Sequence, residues 1–278
     1  MSEDIRPTIV GGIFSPRRIL GRLLRLPLRL LPADTFMRIP LGALSGTKWV
    51  IRSTSYRCLL GIYELETQLA LRRILHPANT VYDLGAGVGF FTILASRLVG
   101  DQGKVVAFEP FPRNLELLRV HLRYNGISNA TVVPMAVADK PGVALFQAGE
   151  YSSMGRLSDR GTLRVDMTSL DEYWSTEGGS PPDLIKIDIE GAELQALQGA
   201  KELLSQARPI MIIACHTAAL HRQCCIFLRS LDYSLTSTRG GPAAPGLEIL
   251  ATPEGQHVAD RTAPNEIHEQ PNSSISSA

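Results

Sequence analysis

From Val81 to Thr92 the chain reads Val-Tyr-Asp-Leu-Gly-Ala-Gly-Val-Gly-Phe-Phe-Thr. An apolar run ends in Asp83, passes the alternate glycines Gly85, Gly87 and Gly89, and enters a helical stretch. Glycines so placed let a backbone turn sharply, or let a ligand come close to the main chain. Spacing excludes two phosphate-binding uses of such a loop. A dinucleotide fingerprint needs its third glycine where Phe90 stands, and a phosphate loop needs a Gly-Lys-Ser/Thr ending that is absent here. Both of those sites offer backbone N–H groups to an anion, which Asp83 at the strand tip would repel. A ligand carrying an ammonium or sulfonium charge suits it instead, and S-adenosylmethionine carries both. Twenty residues beyond Gly89, Glu109 ends the next strand in VVAFEP. A carboxylate there can accept both hydroxyls of a ribose. Past the third strand, Asp139 in Ala136-Val137-Ala138-Asp139 is placed to accept from the exocyclic amine of an adenine. The plainer alternative for Asp139 is a turn-forming role ahead of Lys140-Pro141-Gly142.

A second group of reactive side chains falls at later strand ends. Asp188 and Glu190 stand in KIDIEGAE and His216 in IIACHT. Ligands of open α/β sheets sit outside the carboxyl ends of strands. In an extended segment, residues 188 and 190 point to the same side, and close carboxylates need a cation, a proton or Lys186 to coexist. One solution is a divalent metal on Asp188 and Glu190, with His216 as a further ligand. Oxygen ligands favour Mg²⁺-like ions, whereas an imidazole favours transition metals. The competing reading is that a carboxylate, Glu190 above all, caps the helix that follows. His216 is the best-placed neutral base for taking a hydroxyl proton; the alternative is a hydrogen-bonded histidine at a strand end. Tyr63-Glu64 and Ser152-Ser153 are assigned to the acceptor-side wall, with a lid or helix-cap role as the alternative. His76, His121 and His221 lie in turn or helical contexts and read as structural.

These residues need a scaffold, and the pattern supplies one. Strands are expected at Thr80–Leu84, Lys104–Glu109, Thr131–Met135, Asp183–Asp188 and Pro209–His216. Helices are expected at Phe91–Val99, Pro112–Tyr124, Ala192–Ser205 and Ala218–Leu231. Apolar strands alternating with helices imply an α/β, doubly wound, mostly parallel sheet covered on both faces. Val143–Gln147 and Leu163–Met167 read as a hairpin inserted before the strand at 183–188. Tyr233–Ser237 and Leu247–Ala251, flanking the Gly/Pro-rich turn at 240–246, read as an antiparallel pair closing one edge.

The 278 residues fit one α/β domain with additions, and 44% hydrophobic content allows a substantial core. A net charge of +1 gives no global reason to expect nucleic-acid binding. Four cysteines without a CxxC pair make no disulfide framework, and no apolar run reaches the ~18–20 residues of a membrane span. A reducing, cytoplasmic setting is the default. Residues 1–48 form a basic N-terminal segment: Arg17–Leu31 interleaves arginines with leucines until Pro27 breaks the helix. It docks on the main domain with its arginines in water or, through residues 15–31, makes peripheral contact with an anionic membrane surface. Residues 253–278, rich in Ser, Pro, Asn and Glu, are expected to be a disordered tail.

Across Trp49–Leu235 the chain resembles the FkbM-type class I methyltransferases. The likeness rests on Tyr63-Glu64, YDLGAGVGFFT, AFEP, AVAD, Ser152–Gly155, Thr168–Tyr173 and, most specifically, Ile185–Glu193. It makes residues 49–252 a methyltransferase domain. The resemblance implies a seven-stranded sheet, S-adenosylmethionine as methyl donor, and O-methylation of a small molecule, natural product or sugar. It makes Asp83, Gly85, Gly87 and Glu109 cofactor contacts and places Asp188 and Glu190 on the reaction side. One alternative is N-methylation of RNA or protein, which commonly uses an N/D-PP-Y/F loop where this chain has Asp188-Ile-Glu-Gly. Another is a non-catalytic, cofactor-binding scaffold at a membrane surface. A NAD-dependent dehydrogenase is disfavoured by the glycine spacing.

Overall fold

The computed structural model describes residues 31–32, 34–148, 155–177 and 179–256. Two short antiparallel strands, β1 (Phe36–Arg38) and β2 (Lys48–Val50), precede helices α1 (Tyr56–Leu60) and α2 (Leu65–Ile74). Strand and helix then alternate through β3 (Thr80–Leu84), α3 (Phe90–Val99), β4 (Lys104–Phe108), α4 (Pro112–Tyr124) and β5 (Ala130–Val133). An excursion follows through β6 (Ala136–Val137), β7 (Gly142–Gln147), β8 (Arg156–Leu157), β9 (Leu163–Thr168) and α5 (Leu170–Glu177). The chain returns with β10 (Leu184–Ile187), α6 (Glu193–Gln198), α7 (Lys201–Ala207), β11 (Ile210–Ile213), α8 (Ala218–Arg229), β12 (Tyr233–Ser237) and β13 (Ile249–Pro253).

The main sheet has seven strands in the order β5-β4-β3-β10-β11-β13-β12. From β5 to β11 every neighbouring pair is parallel, while β13 runs antiparallel between β11 and β12. The winding direction reverses between β3 and β10. A crevice opens at such a switch point, outside the carboxyl ends of the strands. The α/β doubly wound, mostly parallel fold expected from the strand–helix alternation is the one adopted.

Alternation along the strands divides the core into two layers. Val81 and Leu184 face a cluster built with α2, α3 and α4 residues such as Leu71, Ile93 and Leu118. Tyr82, Leu84, Ile185 and Ile187 face the opposite cluster, with Leu203, Cys224 and Leu228. With a period of two, Asp83 and Lys186 must project into the first layer. They are partners across the parallel ladder.

Several boundaries differ from expectation for local reasons. The helix expected over 192–205 is split into α6 and α7 at Gly199, where a Cβ would lie 2.2 Å from Ala138 O. That position admits only glycine, a poor helix former. The inserted hairpin forms with Val143 opposite Asp166, and β8 and β6 extend it to a separate four-stranded sheet, β6-β9-β7-β8. The boundary drawn after residue 48 does not follow the packing. Ile39 and Leu44 belong to the same buried cluster as Val81 and Leu118. His121, as expected, is structural. It stacks on Trp49 with centroids 4.0 Å apart, accepts from Val50 N–H, and places Nδ1 2.8 Å from Val88 O, tying β2 to the glycine loop. Pro253, assigned to the tail, closes β13. The basic stretch 15–30 and residues 257–278 lie outside the described residues.

Candidate active site

The glycine loop leaves β3 and enters α3 with Gly85 and Gly87 at φ of 80° and 56°. A Cβ on Gly85 would sit 1.9 Å from Asp188 O, so the tips of β3 and β10 can be this close only around glycine. Gly87 meets nothing within 4 Å and leaves main chain open to a ligand. A cleft beside it is lined by Gly85, Gly87, Glu109, Asn114, Asp188 and Glu190, with apolar walls from Met135, Val137, Phe146, Leu157 and Ile189. A second cavity across the loop is lined by Thr54, Tyr63, Asp83, Phe91, Lys186 and Asp188. Asp188 belongs to both.

Glu109, 4% exposed, is held by backbone. Its Oε2 accepts from Gly87 N–H at 2.8 Å and its Oε1 from Phe111 N–H at 2.9 Å. Burial pushes its carboxyl up to about 7, against the pull of those two hydrogen bonds and of the Asn114 side chain. Each oxygen keeps a lone pair for a hydroxyl donor. Asn114, which the sequence reading overlooked, lines the same cleft. It is 4% exposed, and its Oδ1 has no hydrogen-bond partner. Its signal was available: it stands in the first turn of α4, five residues past Glu109.

Asp83 is not the free charge facing a ligand that the sequence leads one to expect. It is 1% exposed, its Oδ2 accepts from Thr92 Oγ1 at 2.7 Å, and its Oδ1 lies 3.9 Å from Lys186 Nζ. Asp83 braces the loop against α3 and is partly neutralised. Lys186 also reaches Asp188 Oδ2 at 3.5 Å and lies over the Phe91 ring. Burial works against its charge, but Asp188, Asp83, Glu64 and Glu248 outweigh it and hold the ammonium above the usual lysine range. The negative side chains nearest to solvent are therefore Asp188 and Glu190, whose side chains are 20% and 28% exposed.

At the acceptor edge β10 ends at Ile187, so 188–190 is no extended segment. Glu190 takes a left-handed φ of 54° and Gly191 follows at 114°. This turn, rather than strand alternation, brings the two carboxylates together. His216 Nε2 lies 3.1 Å from Glu190 Oε2 and 3.5 Å from Asp188 Oδ1. Its Nδ1 lies 2.9 Å from Oε1 of Glu193, a residue with no exposed surface. Hydrogen bonding to Glu193 pushes His216 up to about 9 against its burial, aided by Asp188 and Glu190. That shift favours the imidazolium, against the expectation of a neutral base. The helix-cap reading of Glu190 also fails. Ala192 occupies the N-cap of α6, and Gly191 N–H donates instead to Glu193 Oε1 at 3.0 Å. Glu193 was missed because an acid in a first helical turn is ordinarily a dipole effect.

The other expected residues are dispersed. Tyr63 lines the second cavity and packs edge-on against Phe90. Glu64 has φ of 42° and a buried Oε2 without a partner; burial pushes its carboxyl up to about 7 despite the opposing pull of Lys186. Gly89 packs on Leu118 and does not line the cleft. Asp139 is exposed and lines an adjoining groove with Arg156 and Gln195, which shares Leu157, Glu190 and Ala192 with the cleft that holds Glu109. Ser152 and Ser153 lie outside the described residues.

Residues 83–235 match the Methyltransferase FkbM domain, more than half of the 278-residue chain. The chain belongs to this family. The match starts at the strand-tip aspartate and takes in the glycine loop, Glu109, Asn114 and the His216 edge, leaving Tyr63 and Glu64 outside. Among curated proteins this FkbM-family chain is 24% identical over 152 residues to the hexuronic acid methyltransferase AglP of Haloferax volcanii, covering 52% of this chain and 61% of that one. It is 28% identical over 164 residues to methyltransferase sdnD of Sordaria araneosa, covering 45% and 62%. The chain thus spans about three-fifths of the length of these relatives. Among solved structures, methyltransferase FkbM from Methylobacillus flagellatus KT superposes with a TM-score of 0.44 at 18% identity, covering 72% of this chain and 56% of that one.

Proposed function

We propose that the protein transfers the methyl group of S-adenosylmethionine to a hydroxyl of a small molecule, natural product or sugar. The observation that carries this reading is Asp188, shared by the cleft holding Glu109 and the cavity holding Tyr63 and Lys186. The residues fit the donor in three ways. Glu109 has spare lone pairs for ribose hydroxyls, the Met135–Val137–Ile189 wall suits a purine, and Asn114 Oδ1 is a buried acceptor with nothing yet to accept. Asp139 lies off this path, and the role at the base falls to Asn114. Asp188 and Glu190 supply the negative field that a sulfonium favours over a pyrophosphate. The relative named as a hexuronic acid methyltransferase supports a sugar-class acceptor.

S-adenosylmethionine supplies a methyl group already activated by its sulfonium leaving group. Attack by the acceptor oxygen would form the new C–O bond as the C–S bond breaks, and the hydroxyl proton would leave to the Asp188 or Glu190 carboxylate beside the His216 ring. Positioning two reactants is worth roughly 7–11 kcal/mol, proton removal about 10²–10⁴-fold. Tyr63 and Glu64 shape the acceptor side, and their variants should change acceptor choice more than donor uptake. No helix among the described residues is long and apolar enough to cross a membrane. The basic segment 15–31 either docks on the main domain or makes peripheral membrane contact, which vesicle sedimentation with and without residues 1–32 would decide.

The test is calorimetry followed by a transfer screen. The purified chain should take up S-adenosylhomocysteine and ignore NADH, and labelled methyl should pass to a hydroxylated acceptor, uronic-acid glycans included. Uptake of NADH without uptake of S-adenosylhomocysteine would overturn the reading.

A further inference from the structure

We propose that Asp188, Glu190 and His216 bind one divalent transition-metal cation at the acceptor edge of the cleft. Their ligand atoms all lie within 4.8 Å of one another. Two ligands about 2.1 Å from one ion and at right angles to each other stand roughly 3 Å apart. His216 Nε2 lies 3.1 Å from Glu190 Oε2 and 3.5 Å from Asp188 Oδ1, close to that spacing.

The surroundings select a cation. Glu193, fully buried, places Oε1 2.9 Å from His216 Nδ1, so Nδ1 donates its proton to Glu193 and Nε2 is the ring atom that faces the two carboxylates. In the metal-free chain a proton on Nε2 supplies positive charge among these atoms, and a metal ion would take that proton's place. Glu193 adds a second, independent sign: its Oε2 is buried without any hydrogen-bond partner, so its charge is compensated chiefly through the imidazole. Asp188, Glu190 and Glu193 put three carboxyl groups around one ring, with the Lys186 ammonium on the far side of Asp188. A proton returns one unit of charge and a divalent ion returns two. Carboxylate behind imidazole in front of metal is a recurrent arrangement that fixes the tautomer and raises ligand basicity. Lys186 Nζ, 3.5 Å from Asp188 Oδ2, holds the other oxygen of that carboxylate and leaves Oδ1 for the ion.

A mixed nitrogen and oxygen set favours ions such as Mn²⁺, Co²⁺ or Zn²⁺ over Ca²⁺. His216 is 33% exposed on its side chain, so an ion can enter, and Asp188 lines both the donor cleft and the second cavity, so the ion would sit where the two meet. The purpose of the site, lowering the pKa of an acceptor hydroxyl, rests on the methyl-transfer reading. Its existence does not.

The experiment strips the full chain with chelator and titrates it with Mn²⁺, following free ion by electron paramagnetic resonance without any methyl donor. The expected result is saturable uptake of one ion per chain. Glu190→Gln and His216→Ala should each weaken it at least about tenfold, and Glu193→Gln about 10–100-fold by freeing the ring. Asp166→Asn, an exposed acid on β9, should leave it unchanged. Absence of saturable uptake, or uptake unaltered in both Glu190→Gln and His216→Ala, would overturn the proposal. Calorimetry with S-adenosylhomocysteine on the same proteins confirms that the variants are folded. It also separates the two claims, since donor-product uptake without Mn²⁺ uptake removes the metal alone.

Discussion

The Glu109 end and the His216 end of the cleft hold charge by different means. Glu109 is a single buried carboxylate fixed by two main-chain N–H groups, and the loop supplying one of them is bonded through Gly85 and Ala86 N–H to Phe108 O. His216, Asp188 and Glu190 are partly exposed and set by contacts among side chains on a left-handed turn. The first end is built by the fold and is sensitive to backbone change. The second is built by side chains and can be retuned without disturbing the sheet. Fold and chemistry are thereby separated within one cleft.

The harshest way to break that contrast is Gly85→Ala. A left-handed alanine costs about 1–2 kcal/mol before any contact is counted. The new Cβ would also lie 1.9 Å from Asp188 O, forcing the tips of β3 and β10 apart. Expected is a loss of several kcal/mol, on the order of 10 °C in Tm, together with loss of S-adenosylhomocysteine uptake. Gly87→Ala meets open space and should pay only the backbone strain. Differential scanning calorimetry of the two variants decides it, and equal destabilisation would refute the account of the loop.

Next in size is Lys186→Met. Removing the ammonium leaves Asp83, fully buried, with only Thr92 as its side-chain donor. Stranding a buried charge typically costs 3–5 kcal/mol, so urea unfolding should show a loss of about that size. Glu190→Gln, at the partly exposed edge, should cost less than about 1 kcal/mol. If both variants lost the same stability, a carboxylate sealed under the sheet would not differ from one at the exposed edge as described.

What was legible in the sequence follows the same division. Strands β3, β10 and β11 were readable because apolar residues occupy both faces, and Pro112 announced the first turn of α4. Glu109 was singled out by its register with Asp83 and the three glycines; alone it also reads as a surface acid at a strand terminus, and its burial decides against that. Asp83 was misjudged for a physical reason. Its identity showed in the sequence, but its neutralisation depends on Lys186, a hundred residues away, standing opposite it in the parallel ladder. The role of Glu193 was hidden likewise, because it depends on β11 delivering His216 to the start of α6. The charge state of His216 then followed from packing that no spacing rule encodes.

A subtler test uses pH. Burial holds the Glu109 carboxyl at about 7, above the ordinary carboxylate range, so the empty folded chain binds its proton more tightly than the unfolded chain does. Its contribution to stability is full below the unfolded value and is lost as pH rises through 7. Ribose hydroxyls prefer the ionised form, so affinity for S-adenosylhomocysteine should increase from pH 6 to 8, by at most about tenfold per unit. Opposite slopes for stability and for binding are the signature. Calorimetry across that range should show the binding slope in the native chain and a flat line in Glu109→Gln.

The smallest expected effect sharpens the boundary of the donor site. Asn114 and Asp139 are both polar residues near the carboxyl edge, but one is buried in the cleft and the other exposed in a neighbouring groove. A buried amide that hydrogen-bonds a ligand is worth about 1 kcal/mol or more, so Asn114→Ala should weaken S-adenosylhomocysteine binding roughly fivefold to tenfold. Asp139→Ala should change it by less than about twofold, as for most surface substitutions. The reverse order would mean that adenine reaches past Val137 into the groove of Arg156 and Gln195. The donor would then lie along the inserted sheet, and Asp139 would regain the role that its place after the third strand suggested.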